Sequence, residues 1–395
     1  MWFYLLLTAA VTAAGIILRL AIKNDKAYRL AFCILAFLVL GSISAFRFDV
    51  GYDYNYIYMP LYEPILQNPF ISSAELVHEP GFVLLQRLTA ILSPEPQMLF
   101  IVTSYLIIGL FMLYYYLYSP SPVIVVFLFI SLGQYYCSMN FIRQTLAAVI
   151  CLFAIGFLQR RKFRRYCAVV LLASLFHSSA LIMLVFYFVN LVPVSGYALL
   201  VYAPACVIFY LSSTDMLALV TQYIYVYYDA SNPAVALGFS LSALLILVSL
   251  FMFLFMNRKI LTRRNEKNYI YINYAFFAML FMFLGTRHSI LNRFALFFEP
   301  AVPLGFAFVL AERWREHPSP RRFLECIRST ADSARMAAVA YAACLSVVLA
   351  GSTAINVYIL ARDSHGVIPY QPVFNNPFYG RGPLQEPDDL PEMKQ

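Results

Sequence analysis

The chain has 395 residues, of which 62% are hydrophobic and 12% charged, with a net charge of +8 and a mean hydropathy of +0.72. A soluble domain cannot bury that much apolar surface, because surface area falls too slowly with size. A transmembrane β-barrel would show short alternating segments, and these are absent. The basic residues sit in short clusters between apolar runs, as expected for cytoplasmic loops, so the net charge is not a nucleic-acid signal.

Apolar runs near 20 residues recur along the chain, and each is long enough to span the hydrocarbon core as a helix with its backbone satisfied internally. The fold class is therefore an all-α polytopic membrane protein with 11–12 membrane helices or half-helices. The predicted segments are 2–22, 30–46, 97–118, 122–138, 141–158, 164–177, 179–192, 197–213, 234–256, 269–286, 294–311 and 336–360. The first run lacks a basic leader region and ends in Arg19 and Lys23, so it reads as a retained membrane helix and not a cleaved signal peptide. Lys and Arg at 23–29, 160–165, 258–267 and 313–335 mark four cytoplasmic loops. All four agree in side only if 166–190 is a hairpin of two short helices turning at His177-Ser178-Ser179. Each arm would reach only about 21 Å, so the hairpin should be buried among other helices. Both termini are then extracytoplasmic. Residues 1–361 form one transmembrane domain, with an outer loop at 47–96 after the second helix and an interfacial tyrosine-rich segment at 214–233. The tail 362–395, rich in Pro, Asn and Gly, needs a partner surface to be ordered. Seven scattered cysteines show neither CxxC nor Cys/His spacing, so no disulfide framework or metal site is expected.

Five clusters carry the candidate chemistry. Arg47 to Tyr54 follows a helix directly, and Gly51 permits a tight turn there. Asp53 beside Tyr54 reads either as a solvated loop start or as a carboxylate and tyrosine platform for a sugar. Glu79, before Pro80, reads as a helix-start residue favoured by the dipole or as a catalytic carboxylate. Arg143 and Gln144 lie one turn into an apolar helix, where an arginine faces a cavity or a partner charge unless it snorkels to the surface. His177 at the hairpin turn is a satisfied structural histidine or a ligand-binding and proton-shuttling one. Arg287, His288 and Arg293 lie on the outer side, where the positive-inside rule disfavours them. Guanidinium suits bidentate phosphate contacts, with headgroup anchoring as the alternative. No Walker motif, zinc signature, Gly-x-Ser-x-Gly or DxD is present, and no internal repeat of the kind found in many transporters.

RFDVGYDYNYIY at 47–58 resembles the R-x-x-V-G-T-D-Y-x-x-Y signature of the EpsG family of Wzy-like exopolysaccharide polymerases, with Tyr52 where the family has Thr. EPGF at 79–82, NFIRQTLA at 140–147, KFRRY at 162–166, LFHSSALI at 175–182 and NRFALFF at 292–298 are similar to that family, in its order. Pro369-Tyr370 is similar to its late motif.

The resemblance implies an architecture like the GT-C membrane glycosyltransferases. It implies a polysaccharide polymerase at the outer face of the bacterial inner membrane, joining repeat units carried on undecaprenyl diphosphate, with lipid-linked oligosaccharide as both donor and acceptor. A repeat-unit flippase and a chain-length regulator are the implied protein partners, besides membrane lipid. Neither cofactor nor metal is expected. On that reading Arg143, Arg287 and Arg293 hold the diphosphate. The base is Asp53, then Glu79, then His177. Arg47, Tyr54, Gln144, His288 and Tyr370 contact or position the sugar. The rival readings are an O-antigen ligase using the same carrier and a lipid-linked glycan transporter or flippase.

Overall fold

The computed structural model describes residues 1–72, 76, 78–223, 241–315 and 332–375. Among them the regular elements are helices: α1 (Trp2–Ala21), α2 (Asp25–Ala45), α3 (Met59–Gln67), α4 (Pro80–Leu92), α5 (Gln97–Tyr118), α6 (Pro122–Ser131), α7 (Gln134–Asn140) and α8 (Ile142–Gln159). They continue with α9 (Phe163–Ser174), α10 (Ile182–Val189), α11 (Gly196–Tyr223), α12 (Leu241–Met256), α13 (Tyr269–Gly285), α14 (Val302–Trp314) and α15 (Asp332–Arg362). Among the described residues, seven helical stretches are long and apolar enough to cross a membrane. An eighth crossing is broken: α6 and α7 meet at 57°, at Gly133 with φ +86°. The chain is an all-α polytopic membrane protein.

The described parts of the four basic loops lie at one end of the bundle. Arg264 pairs with Glu312 at 3.2 Å, and Arg313 donates to Asn257 at 2.8 Å, which ties two of them together. Tyr269, at the start of α13, donates to the Leu191 carbonyl after α10. Arg29 donates to the Tyr116 carbonyl at the foot of α5. The end opposite these loops, called distal below, gathers the candidate site.

Burial grades across the bundle. The most apolar window of α8 is 67% buried and that of the α13 span 78%, against 28% for α1 and 17% for α15. A helix hydrophobic on all sides belongs inside other helices or facing lipid. Here α8 and α13 form the packed axis, while α1 and α15 leave most of their surface to lipid.

The predicted hairpin is present. Phe163 and Tyr166 near the start of α9 meet Tyr187 and Phe188 near the end of α10, with ring centroids 4.8–5.3 Å apart. Tyr166 Oη also donates to the Met183 carbonyl at 2.7 Å. The chain therefore reverses between the two, through extended His177 (φ −158°, ψ 115°) and one 3-10 turn, Ser178–Leu181. The tip of the hairpin meets the start of α4, where Gly81 N–H donates to the Leu175 carbonyl at 2.8 Å. A side chain at Gly81 would stand 2.7 Å from that oxygen, so the approach of α4 to the hairpin depends on glycine.

The outer loop folds into a π-helical turn, Tyr54–Tyr58, then α3 and α4. The surface that orders the start of the tail belongs to the same chain. Phe48 N–H donates to Gln371 O, Val373 N–H to Phe46 O and Gly51 N–H to Gly366 O, all at 2.7–2.8 Å. Residues 363–375 thus form a strap across the Phe46–Tyr52 stretch. Residues 376–395 of the tail, and 224–233 of the interfacial segment, lie outside the described residues.

Candidate functional site

Gly51 sets the geometry at the distal end. Its φ of +101° is a left-handed conformation that side chains disfavour, and a Cβ there would sit 2.7 Å from the Met139 carbonyl. The turn brings Asp53 N–H to Asn140 Oδ1 at 2.9 Å. The loop is thereby locked onto the α7–α8 junction, one helical turn from Arg143.

Arg47 holds this turn from beneath. It is fully buried, and its guanidinium donates to the carbonyls of Ser44, Val50 and Met139 and to Ser104 Oγ. A buried guanidinium needs such acceptors to offset its lost hydration. Tyr54 is also buried. It stacks on Phe100 with centroids 4.0 Å apart and donates to Gln97 Oε1 at 3.0 Å. Tyr370 donates to the Ile43 carbonyl at 3.0 Å and stacks on Phe3. Each of these three commits polar atoms to the protein, which suits the positioning alternative of their reading over direct contact with a sugar. Gln144 fits its positioning reading: its Nε2 donates to the Arg293 carbonyl at 2.6 Å.

Glu79 occupies the position preceding α4 but makes no cap bond to it. Its carboxylate turns sideways instead. Oε2 meets Arg143 Nη1 at 2.8 Å, and Oε1 meets His177 Nδ1 at 3.0 Å. Ser178 N–H donates to Oε1 at 2.9 Å and Ser178 Oγ at 3.3 Å. Burial pushes the carboxyl up, but the His177 bond, the Arg143 charge and the Ser178 N–H outweigh it and hold Glu79 well below the usual carboxylate range. A carboxylate so engaged is a weak proton acceptor. Glu79 and His177 join α4, α8 and the hairpin tip into one unit, an arrangement that favours a structural part for both over the role of base.

Asp53 differs. It is half-buried, and among the described residues its carboxylate accepts no hydrogen bond. Burial raises its pKa, and the charges of Arg293 and Arg143 lower it only in part, so the net shift is upward. Those two guanidiniums are its charged neighbours. Arg143 Nε has no partner among the described residues, while the rest of the residue is held by Glu79 and by Tyr58, whose Oη accepts from the Arg143 backbone N–H at 3.4 Å. Arg293 lies with its Cζ 5.6 Å from the Phe141 ring centroid and, among the described residues, makes no side-chain hydrogen bond or ion pair. The structure thus gathers Asp53, Glu79, Arg143, His177 and Arg293.

Arg287 stands apart from this group. Its Nη1 donates to the carbonyls of Tyr210 and Leu211 at 2.6 and 2.9 Å, and its guanidinium lies over the Tyr210 ring. It ties α11 to the turn after α13. Burial, and then the Arg287 charge, lower the His288 pKa. Among the described residues no group of three or more His, Cys, Asp or Glu is arranged to hold a metal ion.

Two residues of this end escape a sequence reading. Glu299 takes a hydrogen bond on its backbone carbonyl from Gln134 at 2.8 Å, while its carboxylate has no partner among the described residues. A carboxylate inside a predicted span was the available signal. His365, on the strap, meets the Phe141 ring edge-on, with centroids 6.0 Å apart. Nothing local marks it, because its position depends on the fold-back of the tail.

The sequence model of the EpsG family matches residues 30–315, from α2 to the end of α14. The chain belongs to the EpsG family. The match spans every residue of the site except those on the strap. Membership suggests the role of a glycosyltransferase-like polysaccharide polymerase. No curated protein and no solved structure matches the chain.

Proposed function

We propose that this EpsG-family protein is a polysaccharide polymerase that joins undecaprenyl-diphosphate-linked oligosaccharide repeat units by glycosyl transfer at the outer face of the bacterial inner membrane. The observation that carries the reading is the uncommitted Asp53 beside Arg143 and Arg293, at the end opposite the basic loops. The positive-inside rule puts the basic loops in the cytoplasm and the site outside.

In the reaction the acceptor hydroxyl attacks the anomeric carbon of the donor. The bond from that carbon to the diphosphate oxygen breaks, and its electron pair leaves with the diphosphate. Asp53 accepts the hydroxyl proton; its raised pKa suits it to hold that proton better than an ordinary aspartate. Arg293 and Arg143 stabilise the charge that grows on the departing diphosphate. Donors fixed in place before the reaction contribute most where water is scarce. Glu79, His177 and Ser178 hold Arg143 at its station. Arg287 supports the wall formed by α11, because its Nη1 is committed to the Tyr210 and Leu211 carbonyls. A flippase supplying repeat units and a chain-length regulator are the partners this role needs.

The test is the lipid-linked glycan of cells lacking the protein, compared with cells carrying Arg293→Ala. Single repeats accumulating on the carrier in both, with no long polymer, support the reading. Long polymer persisting on the carrier while its attachment elsewhere fails indicates a ligase. Unchanged glycan on the carrier with repeats trapped on the inner leaflet indicates a transporter.

A further inference from the structure

The strap at 363–375 lies beyond the matched residues 30–315, yet it packs against the stretch that carries Asp53. Asp363, in the left-handed region at φ +45°, accepts from the N–H groups of Val367 and Ile368 at 2.7 and 3.2 Å, which fixes the turn that presents His365. Tyr52 Oη donates to the Asp363 carbonyl at 2.9 Å, and Gly366 packs against the Tyr52 ring. The turn is therefore anchored one residue before Asp53.

His365 then stands at the aromatic edge of the site. The Phe141 ring carries the Arg293 guanidinium and also meets the His365 ring, at 87°. Among the described residues neither ring nitrogen of His365 has a hydrogen-bond partner, and Nδ1 is sealed from solvent. An unsatisfied ring nitrogen in such a place costs free energy unless something binds it. Tyr52 keeps about half its surface exposed, at 52%. Open aromatic faces beside an unbonded imidazole match the needs of a sugar, whose C–H faces stack on rings and whose hydroxyls both donate and accept. A diphosphate would need cations, and burial lowers His365 to about 4, which leaves it neutral near pH 7.

We propose that Tyr52, Phe141 and His365 form a sugar subsite, built by the C-terminal strap, that holds a sugar ring of the lipid-linked glycan next to Asp53 and Arg293. This rests on the polymerase reading and assigns the strap a part in it. His365 contacts the sugar through a ring nitrogen, and the strap places it.

The experiment uses the full-length protein in lipid nanodiscs, with the lipid-linked glycan extracted from cells lacking it. His365→Phe keeps the ring and its contact with Phe141 but removes the nitrogens. Its KM for the glycan should rise about tenfold, as for a lost buried hydrogen bond, with kcat within about threefold. Binding of undecaprenyl diphosphate without sugar, and the melting temperature, should not change. An unchanged KM overturns the subsite, and so does an equal loss of binding to the bare carrier. If His365→Phe does not fold, Tyr52→Leu, at an exposed position, is read by the same two assays and outcomes. If the wild-type protein elongates nothing, the polymerase reading fails. Glycan binding then decides the subsite alone: weaker binding by His365→Phe supports it, and equal binding overturns it.

Discussion

Arg143 and Arg293 sit within reach of the same carboxylate, Asp53, but their surroundings are opposite. Arg143 is tethered to Glu79 at 2.8 Å, and Glu79 is tethered in turn to His177 and Ser178 of the hairpin tip. Arg293 lies on the Phe141 ring with no side-chain partner among the described residues. The two carboxylates divide in the same way: Glu79 accepts four bonds and, among the described residues, Asp53 accepts none. A satisfied charge network fixes helices, because breaking it leaves a buried charge uncompensated. An unsatisfied one is costly to maintain and is where substrate supplies the missing partner. On the proposed function, identical residue types at one end of the bundle thus separate into scaffold and chemistry.

Removing the uncommitted cation should have the largest effect. Arg293→Ala is expected to cut the elongation rate by about 10²–10³-fold, the usual loss for one transition-state donor, with the melting temperature unchanged. Arg293→Lys should recover only part of the rate, since it keeps charge but loses the fork. Next comes Asp53→Asn, expected to lower the rate by about 10²-fold with unchanged melting, because its carboxylate makes no hydrogen bond to lose. A pH profile sharpens the point. A base works ionised, so the rate should rise with pH through the Asp53 pKa, with the acid limb above the ordinary aspartate value of 3.8. Asp53→Asn should erase that limb.

On the scaffold side the readout moves from rate to stability. Glu79→Ala should destabilise the protein by about 2–3 kcal/mol, seen as a lower melting temperature, with a secondary loss of rate as Arg143 loosens. Because Glu79 ionises at lower pH folded than unfolded, its stabilisation is complete above the ordinary glutamate value of 4.5 and is lost as pH falls below it. Glu79→Gln should flatten that dependence. The smallest change is expected from Arg287→Lys. Its ammonium can still reach the Tyr210 and Leu211 carbonyls, so the rate should stay within about twofold.

The bundle was legible in the sequence because lipid imposes length and polarity on each span. The hairpin at 163–189 followed from one charge argument, the agreement of four basic loops, and the Phe163–Tyr187 contact bears it out. The candidate residues could be named from the sequence, but the pairings the structure gives them could not. Glu79 is 98 residues from His177 and 64 from Arg143, and no local pattern encodes those partners. For the same reason Arg47 and Tyr54 read as sugar contacts although they lie beneath the turn. His365 was invisible because the strap that carries it is ordered by a surface more than 300 residues away.

The most direct test compares purified Arg293→Ala, Asp53→Asn and Glu79→Ala with the wild-type protein, each scored for elongation of the lipid-linked glycan and for melting temperature on the same sample. The account predicts that the first two lose elongation at unchanged melting, while the third melts earlier. Full elongation by Arg293→Ala and Asp53→Asn, or a loss that tracks a lowered melting temperature in both, would contradict it.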